Sequence, residues 1–279
     1  MTAEHHITVF NVQHGACALW TTKFNGVTWT TMIDCGHMNN ARGRWFPGDF
    51  LRSQGITTLD LLIVSNLDED HVSGLPNLLE RGITITNIFS NPSVQPWQIR
   101  RLKEQHGMGA GIDALVSELT RRGLLLQLQT HPGAEIYCAW NEYLKGFEDE
   151  NNLSVLTSIT IDGYRFLFTG DMECAGFNHV LRNHKPIADL MANVDVLVAP
   201  HHGRENGLCP DLFSVYGCNP RLVVISDDYK QHDTQHTSGW YLARTRGHPF
   251  KFGGGMRWVL TTRSDGTLDF ITGHGLFAY

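Results

Sequence analysis

Asp60-Leu-Leu-Ile-Val-Ser65 is an almost continuous apolar run, and it leads directly into the polar cluster Asn66-Leu-Asp-Glu-Asp-His71. The second half of the chain repeats this arrangement, since Asp195-Val-Leu-Val-Ala-Pro200 leads into His201-His202. Apolar runs of this length are typical of strands that are buried on both faces. Two halves that each deliver polar side chains from the end of a buried strand predict an αββα sandwich, in which both clusters meet at one edge.

Two dipeptides indicate that the sheets are mixed. Asn25-Gly26 and Asp162-Gly163 each separate two strand-like runs, as the tight turns of β-hairpins do. Antiparallel pairs argue against an all-parallel, doubly wound sheet, so the predicted class is α/β (α+β) with mixed sheets. No linker divides the chain, which predicts one domain over residues 1–279, and the helical patterns within residues 90–135 are interpreted as a helical insertion or a lid.

The amino-acid composition argues against some classes of binding partner. The chain has 28 acidic and 22 basic side chains and a net charge of −6, which argues against a nucleic-acid coat protein or a polybasic membrane binder. Apolar residues make up 42% and charged residues 18%, as expected for a globular protein. The polar start, Met1 to Phe10, is unlike a secretory signal, and no apolar run approaches a membrane span. We therefore expect a soluble, cytoplasmic protein without a membrane partner.

Histidine is abundant, with 15 residues, and several lie beside aspartates where strands end. The adjacent imidazoles of His201 and His202 indicate a metal-binding or catalytic role, because a buried imidazole needs partners for both ring nitrogens. Asp171 follows the predicted strand 164–169 and a glycine, and it is either a ligand or a helix N-cap.

Two further loops have the same position relative to a strand. The loop that ends at His71 is either a ligand loop or a solvated acidic turn, with Asp70 or Ser73 as the helix cap. His232 and His236 lie beyond the predicted strand 222–226, where the alternative is a polar turn. Because all these clusters follow the C-terminal end of a strand, we expect them to form one site.

The order of these motifs resembles that of metallo-β-lactamase-fold hydrolases, and within them the ComEC-type competence metallohydrolases and the phosphorylcholine-esterase-like members. The resemblance extends over nearly the whole chain. In chain order, the matching segments are Asn11–Ala16, Ile33–Gly36 with the "D-x-G" turn, Ser65–Leu75 in place of the H-x-H-x-D-H signature, Asn151–Ser154, Thr169–Asp171 and Pro200–Gly203.

The resemblance implies a two-metal site and assigns roles within it. Asp171 would be the bridging carboxylate, and Asp70 and His71 would hold one metal. One of His201 and His202 would be a ligand, and His201 is favoured because it comes first after the strand. The remaining assignments are Asp68 as a further ligand, His232 as the last histidine with His236 as its alternative, and Asp34 as the buried aspartate that supports the ligand loops.

Two residues depart from the family pattern. Asn66 and Asp68 stand where the signature usually has histidines. Asparagine is a weak oxygen donor, so one metal position is either altered or empty. Asp68 suits a site rich in oxygen ligands and shifts the preference from Zn²⁺ toward Mn²⁺. We therefore expect one or two divalent ions, zinc or manganese, per chain.

The chemistry that follows is hydrolysis of a phosphodiester in a nucleotide or nucleic acid by a metal-activated water. Asp68 and Asp70 are the candidate catalytic carboxylates, and His202, if it is not a ligand, would donate a proton to the leaving oxygen. Arg204 is placed to meet an anionic substrate group. Two alternatives remain: a hydrolase of a lactone, thioester or amide, and a metal-poor, catalytically silent binding protein, which Asn66 favours.

Overall fold

The computed structural model describes residues 2–103, 107–124, 128–229, 233–246, 249–253, 255–272 and 276–278. The strands of the first half are β1 (Glu4–Val9), β2 (Cys17–Phe24), β3 (Val27–Cys35), β4 (Met38–Asn40), β5 (Gly43–Trp45), β6 (Thr58–Ile63) and β7 (Thr84–Phe89). The later strands are β8 (Ala134–Trp140), β9 (Val155–Ile161), β10 (Tyr164–Phe168), β11 (Val196–Val198), β12 (Leu222–Ile225), β13 (Phe250–Phe252), β14 (Gly255–Arg257), β15 (Val259–Thr261), β16 (Leu268–Ile271) and β17 (Phe277–Ala278).

The α-helices of the described residues lie between these strands along the chain. They are α1 (Pro47–Ser53), α2 (Glu69–Val72), α3 (Leu75–Glu80), α4 (Pro96–Lys103), α5 (Ala110–Arg122), α6 (Cys174–Asn183), α7 (Lys185–Leu190), α8 (Pro210–Ser214), α9 (Ser238–Leu242) and α10 (Thr262–Asp265). Within the described ranges, none of these helices has the length and apolar character needed to cross a lipid bilayer.

Two large sheets form the centre of the fold. Sheet 1 has seven strands in the order β17-β16-β1-β2-β3-β6-β7, and sheet 2 has six in the order β15-β12-β11-β10-β9-β8. In sheet 1 the pairs β1–β2 and β2–β3 are antiparallel, whereas β3–β6 and β6–β7 are parallel. In sheet 2, β8, β9 and β10 pair antiparallel, whereas β10, β11, β12 and β15 pair parallel. The predicted mixed sheets are confirmed.

The apolar side chains form three layers of core, which is the packing of an αββα sandwich. Strand β6 shows the principle, because Leu61 and Ile63 contribute to the cluster between the sheets while Leu62 contributes to the cluster on the outer face of sheet 1. A third cluster, which includes Phe177 of α6 and Leu197 of β11, covers the outer face of sheet 2. The predicted fold class is therefore confirmed, and the apolar run of β6 is explained by burial on both faces.

The two hairpin dipeptides form the turns that the sequence predicts. Asn25 and Gly26 have φ values of 51° and 79° between β2 and β3. Asp162 and Gly163 have φ values of 50° and 81° between β9 and β10. Left-handed backbone at both central positions matches the twist of the flanking strands, which explains the Asn-Gly and Asp-Gly sequences.

The segment 90–135, interpreted above as an insertion or a lid, contains α4 and α5. These helices pack on the outer face of sheet 1, and the buried side chains they contribute are Ile99, Ile112, Leu115, Val116 and Leu119. Helix α5 begins at the carboxylate of Glu69, which accepts hydrogen bonds from the backbone N–H groups of Gly111 at 2.9 Å and Ile112 at 3.0 Å. Both helices thus belong to the outer helical layer, and α5 is joined to the segment that ends at His71 through Glu69.

A buried imidazole lies away from the polar edge of the sandwich. His131 stacks on Trp20, with ring centroids 3.6 Å apart, and its Nδ1 and Nε2 atoms lie 2.7 Å and 2.9 Å from the hydroxyls of Thr22 and Thr31. Burial, with a smaller contribution from His5, lowers the pKa of His131 to about 3. The ring is therefore neutral in the folded protein at neutral pH.

Candidate metal centre

Four side chains converge where strands of both sheets end. Asp70 and His71 come from α2, which follows β6, while Asp171 follows β10 and His202 follows β11. Each offers one ligand atom, and these four atoms lie within 4.8 Å of one another. His71, Asp171 and His202 are buried, and Asp70 is partly exposed. Two carboxylates and two imidazoles at this separation have the composition of a divalent-metal site.

Close backbone contacts fix the position of Asp70. The backbone N–H of Ala16 donates to the carbonyl oxygen of Asp70 at 3.3 Å. A Cβ atom at Gly15 or Gly36 would lie 2.6 Å or 2.4 Å from the same oxygen, so only glycine fits at either position. The segments 11–16 and 33–36, which carry the resemblance, therefore hold the ligand loop by direct contact.

Asp34 orients the ring of His71. Its Oδ2 atom lies 2.8 Å from Nδ1 of His71, and its Oδ1 atom accepts a hydrogen bond from the backbone N–H of Ser65 at 2.7 Å. The opposite nitrogen of His71, Nε2, lies 3.0 Å from Oδ1 of Asp171. The structure thus places Asp34 beside a candidate ligand, in contact with both the ligand loop and the ring.

The two adjacent histidines point in different directions, and His202 belongs to the cluster. Nδ1 of His202 donates to the carbonyl oxygen of Ser226 at 2.9 Å, while its Nε2 lies 3.1 Å from Asp70 Oδ2 and 3.6 Å from Asp171 Oδ1. Nε2 of His201 lies 3.8 Å from Oδ2 of Asp171, outside the four-atom cluster.

The structure therefore differs from the preference for His201, and the backbone explains why. His201 and His202 have φ values of 50° and 52°, so the chain turns in a left-handed conformation directly after the strand. This turn directs the second imidazole toward Asp70, and the order of the two residues along the chain does not reveal it.

One buried nitrogen of the cluster lacks a hydrogen bond of acceptable geometry within the described part of the chain. Nε2 of His202 is buried and makes no hydrogen bond of acceptable geometry with any described group, although Asp70 and Asp171 lie close. A buried imidazole nitrogen without a partner is unfavourable unless a ligand satisfies it. A metal cation between this nitrogen and the two carboxylates would do so, and the four residues fit that role.

Without a metal, protons on His71 and His202 balance the charge of the two carboxylates, and a bound divalent ion would displace these protons. Burial opposes charge on Asp171, but the charges of His71 and His202 outweigh it and hold the pKa of Asp171 well below its ordinary value. The pKa of Asp70 is lowered in the same way against burial, mainly by His202 and His71. Burial also disfavours charge on His71, but Asp171 and Asp34 raise its pKa well above the usual value. Both carboxylates are therefore ionised and surrounded by positive partners.

Asn66 and Asp68 lie outside the four-atom cluster. Oδ1 of Asp68 lies 2.9 Å from Nζ of Lys103, which is also 2.7 Å from Oε1 of Glu150. Asn66 is buried, and its Nδ2 lies 3.4 Å from Oδ1 of Asn151. The predicted ligand Asp68 thus forms an ion pair with Lys103.

Arg204 and His201 lie together beside the cluster. Nη1 of Arg204 donates to Nε2 of His201 at 3.4 Å. Burial, together with the neighbouring charges of His202 and Arg204, lowers the pKa of His201, which is therefore a neutral acceptor. Arg204 therefore lies beside the four-residue cluster, with His201 as its contact.

His14 is a neighbour of the site that was not predicted. Its Nε2 lies 3.4 Å from Oδ2 of Asp70, and its side chain is 51% exposed. The signal in the sequence is the position of His14 within the motif segment Asn11–Ala16. Of the two later candidates, His232 lies outside the described residues, and His236 is exposed and does not belong to the four-atom cluster.

Comparison with known proteins gives distant similarities of structure. No protein-family model matches the chain, and no curated protein matches its sequence. The metallo-β-lactamase-fold protein YhfI from Bacillus subtilis is 12% identical, with 95% of this chain and 99% of that chain covered and a TM-score of 0.49. A diphosphatase from the PhnP family is 9% identical, with 96% and 97% covered and a TM-score of 0.43.

A third solved structure is CmlA, a diiron β-hydroxylase from Streptomyces venezuelae. It is 13% identical, with 87% of this chain and 51% of that chain covered and a TM-score of 0.47. Similarities of this degree concern the fold alone.

Proposed function

We propose that the protein is a metal-dependent hydrolase whose metal is held by Asp70, His71, Asp171 and His202. The observation that carries this proposal is the convergence of four ligand atoms within 4.8 Å of one another, with Nε2 of His202 facing both Asp70 and Asp171. When bound, a divalent ion would lower the pKa of a water molecule and offset negative charge that develops on the substrate.

The surrounding residues would orient the ligands and the substrate. Asp34 fixes the ring of His71, and the carbonyl oxygen of Ser226 fixes the ring of His202, so that both Nε2 atoms face the carboxylates. Since His202 is assigned to the metal, His14 replaces it as the candidate residue for proton transfer, and because burial lowers the pKa of His14, its neutral ring would accept the proton. Its half-exposed ring reaches Asp70 from the solvent side.

The proposed substrate is a phosphodiester of a nucleotide or nucleic acid. Arg204 supports this assignment, because a guanidinium beside a metal site suits a phosphate group. The set of two carboxylates and two imidazoles is compatible with zinc or manganese. The finer assignment to the ComEC-type or phosphorylcholine-esterase-like branch rests on motif order and stays a prediction.

The decisive assay uses bis(p-nitrophenyl) phosphate and single-stranded oligonucleotides with Mn²⁺ or Zn²⁺. We expect hydrolysis by the wild type and loss of hydrolysis in Asp171→Ala. Asp189→Asn is the control, because Asp189 is an exposed aspartate paired with Lys185 on α7. Turnover of lactones, thioesters or amides without phosphodiester cleavage would move the assignment to another hydrolase. A folded protein inactive on all these substrates would favour a binding protein.

A further inference from the structure

The resemblance implies a second metal ion, held by the residues at positions 66 and 68. A divalent ion at that position would need at least three good donors that are free to coordinate it. The contacts of Asn66, Asp68 and their neighbours test whether the described residues meet this requirement.

Asp68 is engaged twice in other contacts. Its Oδ1 atom caps α2 by accepting from the backbone N–H of Glu69 at 2.8 Å, and the same oxygen lies 2.9 Å from Nζ of Lys103. A carboxylate in these two contacts has a structural role at the start of α2. It is also absent from the four ligand atoms that converge in the described structure.

Lys103 is placed as a fixed internal cation. It is only 3% exposed, which is rare for lysine unless the ammonium is paired. Its partners are the carboxylates of Asp68 and Glu150, at 2.9 Å and 2.7 Å. Their contacts raise the pKa of Lys103 despite burial, so the ammonium stays charged. The positive charge that these carboxylates require is therefore supplied by a side chain.

Asparagine amides, together with the carboxylate of Glu173 that they contact, complete this side of the site. Asn66 contacts Asn151 at 3.4 Å, and Nδ2 of Asn151 contacts Oε1 of Glu173 at 3.4 Å. That same oxygen of Glu173 accepts from Nδ2 of Asn206 at 2.7 Å. Oδ1 of Asn66 is buried without a hydrogen bond to the described groups, and one amide oxygen is too weak a donor set for a divalent ion.

We propose that the protein binds one metal ion, at Asp70, His71, Asp171 and His202. Two sets of side-chain contacts replace the second ion: the ion pairs of Lys103 with Asp68 and Glu150, and the contact between the amides of Asn66 and Asn151. This inference rests on the proposed function, because it presumes that the first site holds a metal. It adds the stoichiometry, and it gives Lys103 a positioning role: its charge holds Asp68, and with it the start of α2, in place.

Metal content tests the inference directly. The full chain would be loaded with excess Mn²⁺ or Zn²⁺, passed over a desalting column, and measured by mass spectrometry for metal per chain. We expect one ion in the wild type, one in Asp68→Asn, and none in Asp171→Ala. At one equivalent of Mn²⁺ and above, electron paramagnetic resonance should show an uncoupled ion. Two ions in the wild type, with one lost in Asp68→Asn or with a spin-coupled signal, would overturn the inference.

The positioning role of Lys103 is tested by the thermal stability of variants at this position, measured with and without metal. In Lys103→Met we expect a lower Tm without metal and a larger rise of Tm with excess Mn²⁺ than in the wild type, because a second divalent ion can then lie between Asp68 and Glu150. Lys103→Arg keeps the charge and should behave like the wild type, and Lys185→Met is the exposed control. An unchanged Tm and metal response in Lys103→Met would overturn the role of Lys103. If that variant does not fold, the wild-type stoichiometry still decides the proposal.

Different experimental outcomes would reject the single-metal inference and the proposed hydrolase function. Two ions with phosphodiester hydrolysis would reject the inference and keep the hydrolase. One ion without hydrolysis of any substrate class would keep the stoichiometry and reject the hydrolase. No bound metal and no hydrolysis would reject both.

Discussion

Asp34 lies 2.8 Å from Nδ1 of His71 and thereby turns the opposite nitrogen of that ring toward Asp171. In Asp34→Asn the ring loses its negative partner and its fixed tautomer, so we expect metal affinity to fall roughly 10- to 100-fold. Asparagine tolerates the left-handed backbone of position 34, where φ is 56°. Affinity would be measured by competition with a chromophoric chelator.

Asp60→Asn is the matched control for that measurement. Asp60 is a partly buried aspartate whose Oδ2 accepts from the backbone N–H of Thr30 at 2.7 Å, with no contact to the cluster. Its metal affinity should equal that of the wild type. An equal loss in both variants would mean that Asp34 acts on stability alone.

Substitution of each adjacent histidine tests whether His201 or His202 is the metal ligand. His202→Ala should lose the metal, because Nε2 of His202 faces both carboxylates. His201→Ala should keep the metal content of the wild type, since His201 lies outside the cluster. Metal per chain in the two purified variants checks the prediction, and the reverse pattern would restore His201 as the ligand.

Substitution of Arg204 should lower kcat/KM without changing the metal content. In Arg204→Met we expect kcat/KM for bis(p-nitrophenyl) phosphate to fall by roughly 10-fold or more, the value of a hydrogen bond to a charged group. Metal content should stay unchanged. Arg52→Met, at an exposed position in α1, is the control. A normal kcat/KM in Arg204→Met would remove Arg204 from substrate binding.

The close contact at Gly36 predicts a loss of stability. In Gly36→Ala the new Cβ would lie 2.4 Å from the carbonyl oxygen of Asp70 and 2.8 Å from that of Ala16, so backbone has to move. We expect the free energy of unfolding in urea to fall by roughly 1–3 kcal/mol. Gly239→Ala has open space around the new atom and should be as stable as the wild type. Equal stability of the two variants would contradict the packing argument.

His131 predicts a pH dependence of stability. Its pKa is about 3 in the folded protein, against an ordinary value of 6.5. Below pH 6.5 this ring binds a proton in the unfolded chain but not in the folded protein. The contribution of His131 to the free energy of unfolding is therefore complete above pH 6.5 and is lost as the pH falls. Between pH 7 and pH 5 the loss is about 2 kcal/mol.

Urea unfolding of wild type and His131→Gln at pH 7 and pH 5 checks this prediction. The other titrating groups are common to both proteins, so the difference between the two pH dependences isolates His131. The variant should lose less free energy of unfolding on acidification. Parallel losses would show that His131 takes up its proton in the folded state as well.

The sequence predicts the parts of the site that follow from strand order. Asp34, Asp70, His71 and Asp171 each lie at or just after a strand end, and buried strands fix where their ends meet. The ion pair of Lys103 and Asp68 could not be predicted, because it joins residues 35 positions apart. On a helix that also carries Arg100 and Arg101, Lys103 has the pattern of a solvated side chain. The assignment between His201 and His202 depended on a left-handed turn that residue types alone do not specify.

Two of the four candidate ligands come from the half of the chain that builds sheet 1, and two come from strands of sheet 2. A bound ion would therefore be a cross-link between the sheets, and separating them would require its release. At a free ion concentration 100 times the Kd, this linkage would add about 2.7 kcal/mol to the free energy of unfolding. Chelation would then loosen the sandwich at its open edge and expose the apolar layer between the sheets.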